Sequence, residues 1–520
     1  MGRTGLAARA AFVAALAVGM MGRGASEAAQ DSANGVAVRV DGASVVRRMQ
    51  GGMGASWHAI ENPEPHTDRG SAWGGNPVPD DDAAWEQVYR HASWLGFDWL
   101  RVEVEQRMYE PERGRFTWDS HDMRVLYRIL DWCQSHGADV FLTQMWCNVA
   151  WNAHPEWRDD PVKRVHSAPA SMEDFAEGLA ALVEHLVEAK GYTCIKWLCI
   201  VNEPMPADWA WWRKPGGENE SLAAGLAAVR KALDRRALAV ALSAPDWTDL
   251  PPLNPAQIDF DPFIGAYDVH TYHANFDGAK DGYPMTEAER RLRGWADWAH
   301  ARGKPLFLSE MGTMVFGWQN SHPGPAAWPA AIKDAEMVVR GIGAGVDAFN
   351  RWSFVNRGDL DGHWQMIETW DREAKRMRTA FAPCPNSYFV YGLLSRFTAK
   401  RSDILKCSVE GGREGEHARV FAAALRSPKG ELTLAIVNDA GREWNATIEF
   451  SGIREGAKIY RGQVCEADRD KPDLRMEPRA MLVTEAGKSA LSDRLPAMSL
   501  TIYTTYNRGH DAPGVMAEGE

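Results

Sequence analysis

The sequence predicts an α/β chain: a (β/α)8 TIM barrel followed by a C-terminal β-sandwich. Three observations predict it. Between about residues 48 and 380, apolar strand-like segments alternate with helix-like ones, as in a parallel sheet whose crossovers are helices. From about residue 386 that alternation gives way to short β-like runs separated by turn residues. The length, 520 residues, is too great for one ordinary domain but suits a barrel with an appended module.

Residues 1–29 read as a secretory signal peptide. Arg3 and Arg9 precede the apolar run Ala10–Met21, and small residues follow (Gly24, Ala25, Ser26, Ala28, Ala29). The run is too short to span a membrane as a helix, and no other apolar stretch reaches the roughly eighteen residues a span needs. An exported protein, secreted or periplasmic, without a membrane span is expected. The net charge of −12 becomes more negative without the leader, which carries Arg3, Arg9, Arg23 and Glu27. So acidic a chain is a poor partner for nucleic acid or anionic lipid.

The barrel is predicted over residues 48–385. Its strand ends read as Gly51–Trp57, Trp99–Glu105, Val140–Trp146, Lys196–Glu203, Ala237–Ser243, Tyr267–Tyr272, Pro305–Glu310 and Asp347–Phe354. Helical patterns lie between them, such as Met123–His136 and Met172–Ala189, the latter with Ser171 as N-cap. A last helix, Ser387–Phe397, is expected to pack under the barrel. The sandwich is predicted over residues 386–505, from runs such as Ala418–Leu425, Leu432–Val437, Ala446–Phe450 and Met498–Thr504. The tail, residues 506–520, is polar and small and is expected to be disordered. Seven cysteines stand singly with no CxxC pair, which suits buried apolar roles better than a disulfide framework.

Chemistry concentrates at two strand ends. Ile195–Pro204 reads IKWLCIVNEP, an apolar run broken by Asn202, Glu203 and Pro204. Proline stops a ladder, so Glu203 falls where strand becomes loop. Lys304–Glu310, KPLFLSE, repeats the design and ends in Glu310. Carboxylates at the C-terminal ends of two parallel strands can face each other across a barrel mouth, as a retaining glycosidase requires. Tryptophans crowd the same face: Trp57, Trp146, Trp151, Trp209, Trp211, Trp212, Trp247, Trp318, Trp352 and Trp364 follow strand ends. Sugar C–H faces stack on indole, so the crowd suits an oligo- or polysaccharide partner.

This pattern resembles glycoside hydrolase clan A, in which the glutamate after strand four is the acid/base and the one after strand seven the nucleophile. The resemblance implies that Glu203 is the acid/base and Glu310 the nucleophile. It implies that Asn202 binds the sugar 2-hydroxyl, that Arg101 in WLRVEVE keeps the nucleophile ionised, and that Tyr272 in DVHTYH stands beside it. His270 lies on the same face of that strand, Trp352 in FNRWSF would floor the sugar subsite, and Trp146 ends strand three. Within the clan, VAVRVDGASVVRRMQGGMGAS and LPAMSLTIYTT resemble family 30, which implies that a leading strand at residues 36–47 joins the sandwich. YEPERGRFTWDSHDMRVLYRILDWCQSHG is similar instead to families 5 and 39.

Plainer roles stand beside these. Glu203 could be a solvated loop carboxylate, and Arg101 an ion-pair partner of Glu103 or Glu105. His270 and His273 are three apart, but a strand-to-loop segment does not put both on one face, and no HExxH or Cys/His cluster supports them; no metal and no cofactor is expected. Asn219-Glu220-Ser221 and Asn445-Ala446-Thr447 are glycosylation sequons in a eukaryotic host. The expected activity is retaining hydrolysis of a β-linked glycan. A non-catalytic carbohydrate-binding barrel is the alternative from another class, and a transglycosylase would use the same two glutamates. Loops Glu61–Asp81, Pro204–Glu220 and Arg357–Arg376 are long enough to close one end of a cleft.

Overall fold

A computed structural model describes residues 35–59, 74–147, 149–204, 222–258, 260–272, 282–313, 327–356, 363–468, 479–483 and 488–506. The chain enters through β1 (Gly35–Arg48), which belongs to the C-terminal sheet, and then builds the barrel. The barrel strands are β2 (Met53–His58), β3 (Trp99–Val104), β4 (Asp139–Gln144), β5 (Ile195–Cys199), β6 (Ala241–Trp247), β7 (Ala266–Thr271), β8 (Leu306–Met311) and β9 (Ala348–Val355). All neighbours are parallel, and β9 pairs with both β8 and β2, which closes the sheet. At Gly54 a Cβ would lie 1.4 Å from the Trp99 carbonyl oxygen, so only glycine lets β2 and β3 approach there.

The crossover helices start and stop on local signals. Helix α1 (Asp82–Leu95) is capped by Asp81 and ends on Gly96 in the left-handed region. Helix α2 (His121–His136) begins two residues earlier than the apolar period suggests, because Ser120 caps it through the Met123 amide at 3.2 Å. Ser171 caps α3 (Met172–Glu184) through Asp174, and the next five residues, His185–Ala189, wind on as a π turn. Then come α4 (Leu222–Arg235), α5 (Met285–His300) and α6 (Trp328–Ala344). The last helix, α7 (Pro385–Arg396), packs on α6, α1 and β2, and its Tyr391 hydroxyl donates to the Gly54 carbonyl at 2.7 Å.

Three segments differ from the sequence reading: the fourth strand, expected over Lys196–Glu203, runs Ile195–Cys199 and stops short of Glu203. The fifth barrel strand runs Ala241–Trp247, not Ala237–Ser243; Pro245 does not end it, since Ser243, Ala244, Pro245 and Trp247 all pair with β7. Part of the expected Arg357–Arg376 loop is ordered as a hairpin, β10 (Ile367–Asp371) and β11 (Arg376–Pro383), added beside β9. Its alternation is too short to read as a strand, yet Ile367 and Trp370 are buried. The described part of the Glu61–Asp81 loop begins at residue 74; the Pro204–Glu220 loop beyond residue 204 lies outside the described residues.

The second sheet holds β12 (Asp403–Gly411), β13 (Val420–Arg426), β14 (Leu432–Asn438), β15 (Trp444–Ser451), β16 (Lys458–Cys465), β17 (Arg479–Val483), β18 (Lys488–Leu495) and β19 (Ser499–Thr504). Its order is β17-β16-β19-β14-β13-β12-β1-β15-β18, antiparallel except where β1 runs parallel to β15. Val38, Leu434, Ile436, Trp444 and Ile448 share a core of its own. Helix α6 joins it to the barrel: the Trp328 indole donates to the Met498 carbonyl at 2.9 Å, and the Lys333 ammonium reaches Asp439 at 2.5 Å. All seven cysteines are free thiols, five of them buried.

The barrel interior has two layers. Trp99, Phe141, Cys199, Ala266, Phe307 and Ala348 make an apolar layer, with Trp197 against it. Two residues further along β3 and β8 the inward side chains are Arg101 and Ser309, and Glu310 follows. The same strands carry a dry plug and a charged mouth.

Candidate active site

Glu310 lies on β8 with its side chain 5 % exposed. An Nη1–H of Arg101 donates to Oε1, and the Tyr272 hydroxyl donates to Oε2 at 2.5 Å. His270 Nδ1 stands 3.5 Å from Oε2. Burial pushes this carboxyl above the usual glutamate value, against the pull of the His270 and Arg101 cations. Glu203 follows β5 in a left-handed conformation (φ 47°), with its side chain 15 % exposed. Its Oε1 is 2.8 Å from His270 Nδ1. One acceptor atom each of Glu203, His270 and Glu310 lie within 4.8 Å of one another.

Arg101, fully buried on β3, organises the floor. Besides Glu310 it donates to Glu103 Oε1 at 2.6 Å, to Asn202 Oδ1 at 2.7 Å and to Asp246 Oδ2 at 3.1 Å. The ion pair with Glu103 weighed from sequence therefore exists, and the contact with Glu310 exists beside it; Glu105 pairs with Arg107 instead. Arginine only donates, so the Asn202 oxygen faces it and the Asn202 amide N–H groups are left for another acceptor. Glu103 is buried with its carboxyl pushed up to about 8 by desolvation, opposed by Arg101. His58, beside it and fully buried, is held well below the usual histidine value by desolvation and by Arg101.

The remaining sequence candidates fall into place around this core. Tyr272 and Trp352 are buried together with Trp364 in one aromatic cluster at the mouth. Trp352 meets His58 edge-on at 4.7 Å between ring centres, and Tyr272 meets Trp364 at 5.4 Å. Trp146 is only partly buried, and its indole donates to the Asn202 carbonyl at 2.9 Å, which ties down the turn that carries Glu203. The other tryptophans do not all face the mouth. Trp57 packs in the core against Phe354 and Trp85, and Trp247 against Trp295. Trp209, Trp211, Trp212, Trp318 and His273 lie outside the described residues.

Sequence reasoning missed Asp246, Asp268, Ser309, Glu103 as a site member, and His58. Asp246 went unnoticed because it lies beyond the strand expected at Ala237–Ser243. Its carboxylate is fully buried and accepts from Arg101 Nη2, from His270 Nε2 at 3.0 Å, from Ser309 Oγ at 3.2 Å and from the Glu203 amide at 3.2 Å. The signal was one acidic residue closing an apolar run, the same signal that marked Glu203 and Glu310.

Glu203, His270 and Glu310 could in geometry hold a metal ion, and so could Cys199, Asp246 and Asp268. The Arg101 guanidinium already pairs with Glu310, one member of the first group. A charged, donor-rich cup with two facing carboxylates, one more exposed than the other, is equipped for acid/base and nucleophilic work on a neutral polyol.

Comparison with known proteins agrees in fold. The family model described as Cellulase (glycosyl hydrolase family 5) matches residues 51–340. No curated protein sequence matches the chain. Among solved structures it is similar to a family 30 endoxylanase from Clostridium papyrosolvens C71, at 14 % identity and a TM-score of 0.58 over 90 % of this chain and 99 % of that one. It is similar to a monomeric β-xylosidase from Caulobacter crescentus CB15, at 13 % identity and a TM-score of 0.57 over 90 % and 99 %. An endo-β-1,6-glucanase aligns at 12 % identity and a TM-score of 0.58 over 90 % and 94 %.

Proposed function

The chain belongs to glycosyl hydrolase family 5, the cellulase family, and is an O-glycosyl hydrolase of clan A; from that premise we propose that it is an exported, retaining enzyme that cleaves a β-linked glycan by double displacement. The observation that carries this reading is the spacing of Glu203 and Glu310, whose nearest carboxylate oxygens lie within 4.8 Å. Retaining enzymes hold the pair about 5–5.5 Å apart, whereas inverting ones leave about 6.5–9.5 Å for a water.

In the proposed first step Glu310 attacks the anomeric carbon and forms a glycosyl ester, while Glu203 passes its proton to the departing oxygen. Arg101 and Tyr272 hold the attacking oxygens in place. The Asn202 amide, its oxygen turned to Arg101, donates to the sugar 2-hydroxyl, a contact that strengthens in the transition state. In the second step Glu203 takes a proton from water, which attacks the ester and frees the sugar with its configuration kept. Trp352 offers an apolar edge at the mouth, packed in one cluster with the fully buried Trp364. The basic leader, residues 1–29, supports export.

The test is turnover of wild-type protein and Glu310→Ala across aryl β-glycosides and plant or microbial polysaccharides. We expect activity on at least one member, lost in the variant while glycan binding persists, and a first-formed sugar of retained configuration by proton NMR. An inverted first product, or full activity of Glu310→Ala, would overturn the reading.

A further inference from the structure

Asp246 takes part in none of the steps above, yet it is the most heavily bonded acceptor in the mouth. Its four donors come from four elements: β3 through Arg101, β7 through His270, β8 through Ser309, and the turn after β5 through the Glu203 amide. Its own backbone is left-handed (φ 55°), as is that of Glu203 (φ 47°), a conformation uncommon outside glycine, though aspartate tolerates it better than glutamate. Behind it, Asp268 Oδ1 accepts the Asp246 amide at 3.1 Å. Burial and the neighbouring Asp246 charge push the Asp268 carboxyl well above the usual range. Asp246 itself is held well below the usual value by His270 and Arg101, despite its burial.

The ring of His270 links this carboxylate to both glutamates. Nε2 meets Asp246 Oδ1 at 3.0 Å; Nδ1 meets Glu203 Oε1 at 2.8 Å and Glu310 Oε2 at 3.5 Å. The groups in contact with His270 are thus Asp246, Glu203 and Glu310; the Arg101 guanidinium and the Tyr272 hydroxyl bond to Glu310 beside it, and Asp268 lies two residues before it in the chain. An ionised carboxylate only accepts, so Nε2 carries a proton. In the first chemical step negative charge leaves Glu310, which becomes an ester, and arises on Glu203, which gives up its proton to the glycosidic oxygen as the C–O bond breaks. Nδ1 faces both oxygens, so in the ring cation its proton can follow the charge without moving the ring.

We propose that Asp246 is a positioning residue for the acid/base step: as the fixed counter-ion of His270 it keeps the ring a cation, which stabilises the carboxylate that forms on Glu203 when its proton departs. The inference rests on the assignment of Glu203 and Glu310 made above. Without the Asp246 charge burial disfavours the ring cation, the carboxylate that forms on Glu203 is left with a weaker partner, and the cost falls on the step that needs acid. A carboxylate that merely ties strands together would slow all substrates alike.

The experiment compares kcat/KM for matched 2,4-dinitrophenyl and phenyl β-glycosides of the sugar the wild-type enzyme cleaves fastest. Dinitrophenolate leaves without a proton and phenol does not. In Asp246→Asn the phenyl substrate is expected to lose on the order of 10²-fold and the dinitrophenyl one less than about tenfold. Equal losses on both, in a protein with an unchanged melting temperature, would overturn the proposal. If Asp246→Asn does not fold, His270→Gln removes the same cation from the other side; the same contrast supports the proposal and equal losses overturn it. Glu203→Ala, measured alongside, separates the two assignments. Absence of the contrast there would overturn the role of Glu203 itself, whereas its presence there and absence in Asp246→Asn would overturn only the role of Asp246.

Discussion

The two layers of the barrel interior are made by the same strands and spend burial in opposite ways. On β3, Trp99 belongs to the apolar plug, and two residues on, Arg101 holds the charged mouth. On β8, Phe307 packs edge-to-face on Trp197 in the plug, and Glu310 follows three residues later. The plug gains from every apolar contact and asks nothing of its surroundings. The mouth takes Arg101, Glu103, Asp246, His270 and Glu310 out of water, which is costly unless each charge finds its complement. It is kept because developing charge is stabilised best by groups already fixed in a dry site. Stability should therefore reside in one layer and rate in the other, two residues apart.

The widest split is expected from one strand. Glu310→Gln should lower turnover on the order of 10⁴-fold while leaving the unfolding midpoint within a few degrees of wild type. Phe307→Ala should lose about 3–5 kcal/mol of unfolding free energy, with kcat per folded molecule changed less than about threefold. Urea unfolding and active-site-normalised rates on the two variants check this. A large fall in kcat for Phe307→Ala would show that the layers are not separable.

Arg101 sharpens the comparison because it belongs to the mouth yet should matter to both properties. Arg101→Met leaves Glu310 and Asp246 without their shared guanidinium. A loss of about 3–5 kcal/mol is expected beside the loss of activity. Unfolding free energy unchanged from wild type would mean that the mouth carries its charges without this cation, and the cost assigned to it here would be wrong.

Much of this division was legible in the sequence, and its gaps have physical causes. Glu203 and Glu310 announce themselves as carboxylates closing apolar runs, Arg101 and Tyr272 follow from the family resemblance and His270 from its place on the same strand face, and the structure brings all five within one hydrogen-bonded group. Asp246 carried the same mark, but it lies beyond the strand expected at Ala237–Ser243, and here the strand runs on through Pro245 because its neighbours still pair with β7. Trp57 and Trp247 were expected at the cleft and lie in the core instead, since indole serves packing as readily as sugar binding and nothing in the local pattern separates the uses. The β10–β11 hairpin was invisible because the buried apolar positions of β10, Ile367 and Trp370, are too few to make a strand pattern, and it joins β9 through one residue pair.

A smaller effect concerns pH. Glu103 is buried in the mouth with its carboxyl raised from 4.5 to about 8. A raised acid binds its proton in the folded state when the unfolded chain has already released it. Its stabilising contribution is therefore complete below about pH 4.5 and is lost as pH rises through about 8. Glu103→Gln should abolish that part of the slope, so the variant should lose less stability than wild type between those limits, by on the order of 4 kcal/mol. Parallel stability curves for the two proteins would show that Arg101 keeps Glu103 ionised throughout.

The smallest expected effect tests whether the second sheet shares in either role. Lys333 on α6 bridges Glu336 at 2.8 Å and Asp439 of the sheet domain at 2.5 Å, and both carboxylates are nearly buried. Lys333→Met takes one donor from each carboxylate, leaving Glu336 to Arg340 and Asp439 to Arg419, which should cost about 1–2 kcal/mol because charge-assisted bonds are lost while the apolar stem remains. The seam and the catalytic mouth are carried by different side chains, so kcat/KM should stay within about twofold of wild type. A kinetic defect larger than the stability loss explains would mean that the position of the sheet domain is felt at the mouth, and the contrast between the two layers would then have to include a third region.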